Sequence, residues 1–115
     1  MTKTIIESKT GPQSIFIDAE HLWFWFVSGR QIKNGLTRRG GEWFRPCELV
    51  DVETLITRMY LSGRLSADEL GVIKKYGELR RAPNQYVFNE NRDAILWVSA
   101  MRAISAAARK KGWVE

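Results

Sequence analysis

Between Asp18 and Asn34-Gly35 the chain places Trp23, Phe24, Trp25 and Phe26 in one unbroken aromatic block, within "HLWFWFV". A block of this kind constrains the fold more than any other stretch, because nearly all of it has to be taken out of water. The apolar run is far shorter than the roughly 18 residues of a spanning helix, which excludes a membrane insert. No polar residue alternates with the aromatics, so a half-buried strand is disfavoured. A helix fits the flanks. Asp18 is a good N-cap, Glu20 stands in the first turn, and Ile17 and Leu22 have the spacing of a hydrophobic staple. The expected helix covers about residues 19–33 and is stopped by Asn34-Gly35. At about 100° per residue, Leu22, Trp25, Phe26, Gly29 and Ile32 share one face. Trp23, Phe24 and Val27 fall outside it, among polar residues.

That surplus admits two readings. Trp23 and Phe24 form an exposed anchor for a partner, either unpaired bases or another protein. Alternatively they are covered by the N-terminal segment or by the stretch around Trp43-Phe44.

Three further helices are predicted. Asp51 caps one in which Val52, Leu55, Ile56, Met59 and Tyr60 follow the i, i+3, i+4, i+7, i+8 pattern, ended by Gly63. Ser66 opens the next as "SADE", a capping box with Glu69, with Leu65 and Leu70 at staple spacing and Gly77 as the stop. Asn91 caps a long helix through about Lys111, ended by Gly112, whose apolar arc is rich in alanine. "GLTRRGGEWFRP" (35–46) and "QYVF" (85–88) are short β-like pieces able to pair as a wing. Residues 1–14 read as a flexible tail, or as one strand of a weak hairpin with "SIFI" (14–17). The expectation is one mainly α domain over residues 15–115, with about four helices in a compact orthogonal bundle and a minor β-hairpin.

Of 115 residues, 44% are hydrophobic and 27% charged, as in ordinary soluble domains. The single Cys47 excludes an internal disulfide and suggests a reducing, cytoplasmic setting. The polar opening "MTKTIIESKTGPQS" lacks a secretory core. With one histidine, His21, and one cysteine, no ligand cluster has zinc or calcium spacing, and no phosphate-cradling glycine loop is present. Asp18 and Glu20 are already explained by capping. No metal, cofactor or catalytic residue is expected, and the reading is against an enzyme.

Charge is the other signal. Residues 1–57 carry seven basic and seven acidic side chains, and residues 58–115 carry eleven and six, so the whole net +5 lies in the second half. In the last helix Arg102 and Arg109 share a side with Lys110 beside them, and no acid follows Asp93 until Glu115. Such a stripe suits phosphate contacts, which gain from counterion release. Cations in a last turn also complement the helix dipole, which accounts for Arg109 and Lys110 but not Arg102. Arg80-Arg81 stand in a loop where a planar guanidinium fork suits phosphate. Arg38-Arg39 add a third basic pair at a loop tip. The helix after Ser66 would offer Ala67, Asp68 and Glu69 to a major groove, and carboxylates there argue against it as the reading helix.

The run "RPCELVDVETLITRMYLSGRLSADELGVIKKYG", with "LWVSAMRAISAAARKKGWV", resembles a family of small uncharacterised alphaproteobacterial helical proteins, over about residues 18–115. That resemblance implies a helical fold and brings no known activity. "DELGVIKKYGEL" and "SAMRAISAAARKKG" are similar to the first and last helices of the helix-turn-helix in sigma-factor region 4 and in phage late-gene antiterminators. This implies DNA binding by the last helix, with its basic end at Arg102, Arg109, Lys110 and Lys111. Between the two pieces, "RRAPNQYVFNEN" lacks the short amphipathic helix of that motif. The leading expectation is a non-catalytic nucleic-acid-binding or transcription-associated protein, holding phosphates through Arg38, Arg39, Arg80, Arg81, Arg102, Arg109 and Lys110. The rival is a protein-interaction adaptor or homodimer using Trp23 and Phe24. Neither engages a membrane.

Overall fold

The chain condenses around its first helix. A computed structural model of the protein describes residues 15–35 and 45–115. In it α1 covers Ala19–Gly35, α2 Leu49–Leu61, α3 Ala67–Leu79 and α4 Asn91–Lys110, and a 3-10 turn, Phe88–Glu90, leads into α4. The protein is mainly helical. The only β pairing among the described residues is an isolated parallel bridge between Phe16 and Val114.

Local signals set the helix starts. Asp18 Oδ1 accepts the His21 N–H at 2.9 Å, as an N-cap should. His21 Nδ1 in turn accepts the Ile17 N–H at 3.1 Å, and its ring meets Phe16 edge-on at 5.1 Å. The staple is displaced by one residue: Phe16 is fully buried and Ile17 is exposed. The cause is the bridge to the C-terminal segment. Phe16 donates its N–H to Trp113 O at 2.9 Å and accepts the Glu115 N–H at 3.1 Å, and alternation along extended chain then turns Ile17 outward. Before α2, the cap is Glu48 and not Asp51. Asp51 sits at the third helical position, and its Oδ2 reaches back to the Glu48 N–H at 2.8 Å. The box at Ser66 forms as expected, with Ser66 N–H to Glu69 Oε1 at 2.8 Å and Glu69 N–H to Ser66 Oγ at 3.1 Å. Asn91 is the first residue of α4 and Glu90 holds the cap position.

Helix ends follow positive φ. Gly63 and Gly112 adopt φ of 84° and 78° after α2 and α4. Gly77 does not end its helix. α3 continues to Leu79 and closes on Arg80 in the left-handed region, φ 64°, with the Arg81 N–H returning to Tyr76 O at 3.2 Å. Gly77 is needed for space instead. A Cβ there would meet Trp23 Nε1 at 2.9 Å and Val27 Cγ2 at 3.0 Å, so α1 lies directly on this bare turn of α3.

The aromatic block is thereby divided among three neighbours. Trp23 is 4% exposed and donates its indole N–H to the Ile73 carbonyl of α3 at 2.8 Å. Phe24 stacks on Trp97 of α4, centroids 5.7 Å apart, and the Trp97 indole N–H reaches Glu20 Oε2 at 2.7 Å. Trp25 rests on Phe16 at 5.0 Å. Gly29 lets α2 approach: a Cβ there would meet Leu49 Cδ2 at 2.7 Å. Trp23 and Phe24 therefore do not form an exposed patch. Trp23 is covered by α3 and Phe24 packs on α4, because the apolar surface of α1 runs around the helix and each side needs a neighbour. The stretch around Trp43-Phe44 lies outside the described residues.

Of the expected wing, "QYVF" is not a strand. Gln85 and Tyr86 form a turn, with the Tyr86 N–H held by Asn84 Oδ1 at 2.9 Å, and Phe88 enters the 3-10 turn. The facing piece, 36–44, and the 1–14 tail lie outside the described residues.

Gly77→Ala tests the docking of α1 on α3. Alanine favours a helix by roughly 1 kcal/mol over glycine, but displacing Trp23 costs about 1–3 kcal/mol and strains its hydrogen bond. Urea unfolding followed by tryptophan fluorescence should show a lower midpoint. An unchanged or higher midpoint contradicts the close contact.

Candidate polyanion-binding groove

α2 ends beside the C-terminal end of α4, and a groove of about 530 Å³ opens between them, lined by Thr54, Leu55 and Ala107 with Trp113. Among the described residues four cations surround this floor, Arg58, Arg64, Lys110 and Lys111, against one carboxylate, Asp51. Their positions follow from the local fold. Arg58 stands in the last turn of α2 and Lys110 in the last turn of α4, where each complements a helix dipole. Arg64 arrives from the turn that Gly63 creates, with Nε donating to Ser62 Oγ at 3.1 Å. Lys111 is the C-cap residue of α4, and its Nζ lies 5.5 Å from the Trp113 ring centroid. Trp113 itself is buried, fixed by its N–H to Ala108 O at 3.0 Å and by the Phe16 contact to its carbonyl. Dipole complementarity explains Arg58 and Lys110 singly. It does not explain why Arg64 converges on the same groove.

The residues singled out from sequence are dispersed. Lys110 lines the groove. Arg109, one residue earlier, is exposed and donates Nε to Glu115 O at 3.2 Å and Nη2 to Ser105 Oγ at 3.3 Å. Arg102 is exposed farther up α4, at the edge of a second groove. Arg80 and Arg81 stand at the opposite end of the bundle. Lys75 and Tyr76, late in α3, both reach Asp93 in the first turn of α4, at 3.4 Å and 2.8 Å, so the α3 terminus meets the start of α4. The length of α4 puts that end about 30 Å from Lys110. Arg38 and Arg39 lie outside the described residues. The expected set therefore does not converge on one face. Arg58 and Arg64 were missed because each reads, in sequence, as an isolated surface cation.

Arg81 is already neutralised. Its fork grips Glu90 with Nη1–Oε1 at 2.9 Å and Nη2–Oε2 at 2.8 Å, while the Asn84 N–H also donates to Glu90 Oε1 at 2.8 Å. This bidentate pair closes the 81–90 loop. Arg92 lies 3.7 Å from Asp68 and Arg30 lies 3.1 Å from Glu53. Among the described residues, no ion pair to a carboxylate occupies any of the four groove cations.

Groups with reactive potential are held in structural roles. Burial, with the Asp51 charge next in weight, pushes the Cys47 thiol up to about 12, which suppresses the thiolate. Burial first, and then the bond to Asp93, pushes the Tyr76 phenol up to about 12. No group of three or more potential metal ligands occurs among the described residues. No helix among them is long and apolar enough to cross a membrane. No protein-family model, curated protein or solved structure matches the chain.

The Arg81 fork, followed by the Asn84 N–H, pulls the Glu90 carboxyl from its ordinary 4.5 down to about 2. A depressed folded value gives stability that is complete above the unfolded value and is lost as pH falls toward the folded one. Acid titration of wild type and Glu90→Gln should show their stability difference shrinking from about pH 4.5 to about pH 2. A difference constant across that window contradicts the pairing.

Proposed function

We propose that this is a non-catalytic nucleic-acid-binding protein that holds backbone phosphates in the α2/α4 groove. One observation carries the reading: Arg58, Arg64, Lys110 and Lys111 line a single groove with Asp51 as its one carboxylate among the described residues. Cations held together by a fold repel one another, and a polyanion relieves that repulsion while releasing its own condensed counterions. Arg58 and Arg64 bring planar forks suited to phosphate oxygens, and Lys110 and Lys111 bring point charges. The α3 N-terminus bears Asp68 and Glu69, which suits a supporting helix better than a base reader. In place of the short amphipathic helix of a region 4-like motif, residues 82–87 are loop and turn before the 3-10 turn. Contact through backbone charge thus has better support than helix-turn-helix readout of base sequence.

Titrating a short fluorescent DNA duplex with the protein at several salt concentrations tests this. If all four cations meet phosphates, the slope of log affinity against log salt approaches about −3.6, and each of Arg58→Ala and Lys110→Ala flattens it by about 0.9. Both side chains are exposed, so the variants should fold. Absence of binding at low salt, or binding indifferent to salt, overturns the proposal.

A further inference from the structure

A second groove, about 770 Å³ in volume, lies between the outer face of α4 and the 82–87 loop, and differs in character from the first. Its lining is largely apolar: Ile95 and Val98 are exposed, and Trp97 also borders it. Tyr86 forms one wall and is 88% exposed. A tyrosine so bare, on a loop stapled by Arg81–Glu90 and by Asn84 Oδ1 on its own N–H, is held out at little entropic cost. Arg102 and Glu20 are the charged residues among its polar lining. Glu20 presents Oε2 to the Trp97 indole, which leaves its other oxygen as an acceptor.

We infer that this groove takes an unpaired base of a single strand whose backbone continues toward the α2/α4 groove; this rests on the phosphate-binding reading above. A ring against Tyr86 gains stacking that every base can supply. The free acceptor of Glu20 can receive an N–H of the Watson–Crick edge, which is available only when the base is unpaired. Arg102 stands where the attached phosphate would lie, and no carboxylate engages it among the described residues. The way between the grooves follows α4. Val98, Arg102 and Arg109 are exposed on one side of the helix, and α4 carries no acid after Asp93. Lys110 lies about 18 Å farther along the axis than Val98 and about 120° around it, so a strand of several nucleotides reaches it by winding partly around α4. The recurrence of cations along this path favours a nucleic acid strand over a protein partner.

Anisotropy titrations with a 12-nucleotide mixed-sequence single strand and its 12-base-pair duplex provide the test, at one salt concentration and with sedimentation equilibrium alongside. The single strand should bind at least about 10-fold more tightly. Tyr86→Ala should weaken single-strand binding roughly 5- to 150-fold, the stacking contribution of one base, and leave duplex binding and the salt slope unchanged. Equal affinities that Tyr86→Ala does not alter, with salt-dependent binding intact, overturn this inference and leave the phosphate groove standing. Absence of both interactions at low salt overturns the two together. A self-association that Tyr86→Ala dissolves, with nucleic-acid affinity unchanged, assigns the groove to a second copy and overturns the base site.

Discussion

The seating of Trp23 on α3 is the constraint on which the rest depends. Its indole is buried, its N–H is taken by the Ile73 carbonyl, and the bare Gly77 turn lies against its ring. A buried indole without an acceptor would cost about 1–3 kcal/mol, and a side chain at position 77 would push the helices apart. With Trp23 placed, Phe24 is directed at Trp97 and Glu20 at the Trp97 indole, which fixes α4 on a second side of α1. α2 closes a third side at Gly29 and Leu49. Four aromatics in a row are thus one helix with three neighbours.

The position of the cationic groove is a consequence of this packing. α4 is clamped near its start by Lys75–Asp93, Tyr76–Asp93 and Trp97–Glu20. Near its end it is clamped by the Phe16 pairing with Trp113 and Glu115. Its last turn is therefore delivered beside the end of α2, where Arg58 and Arg64 stand. The charges are drawn from segments some fifty residues apart in the chain. Their convergence is a property of the fold, while the opposite end of the bundle spends its cations on carboxylates, Arg81 on Glu90 and Lys75 on Asp93.

The helices were legible in the sequence because their signals are local. Ser66 and Glu69 cap within four residues, and Val52, Leu55, Ile56 and Met59 mark one buried face. The failures are non-local. Gly77 has the look of a helix stop in sequence because glycine commonly ends helices, whereas here its missing Cβ admits a tryptophan fifty-four positions earlier. Trp23 and Phe24 are surplus on a two-sided wheel, which has no place for a third neighbour. "QYVF" is β-like in sequence, but Asn84 and Glu90 hold that stretch in a turn and loop. Of the site, Lys110 could be chosen from charge pattern alone. Arg58 and Arg64 could not, since nothing in their surroundings along the chain brings them toward α4.

The central claim is that phosphates settle between α2 and the end of α4 and not at the Arg80–Arg81 end. Amide shift mapping by ¹⁵N–¹H NMR, with a short oligonucleotide added at low salt, addresses it residue by residue. The account predicts that the largest perturbations fall at Arg58, Arg64, Lys110 and Lys111. Perturbations centred on Arg80, Arg81 and Arg92, or spread evenly over the surface, would contradict it.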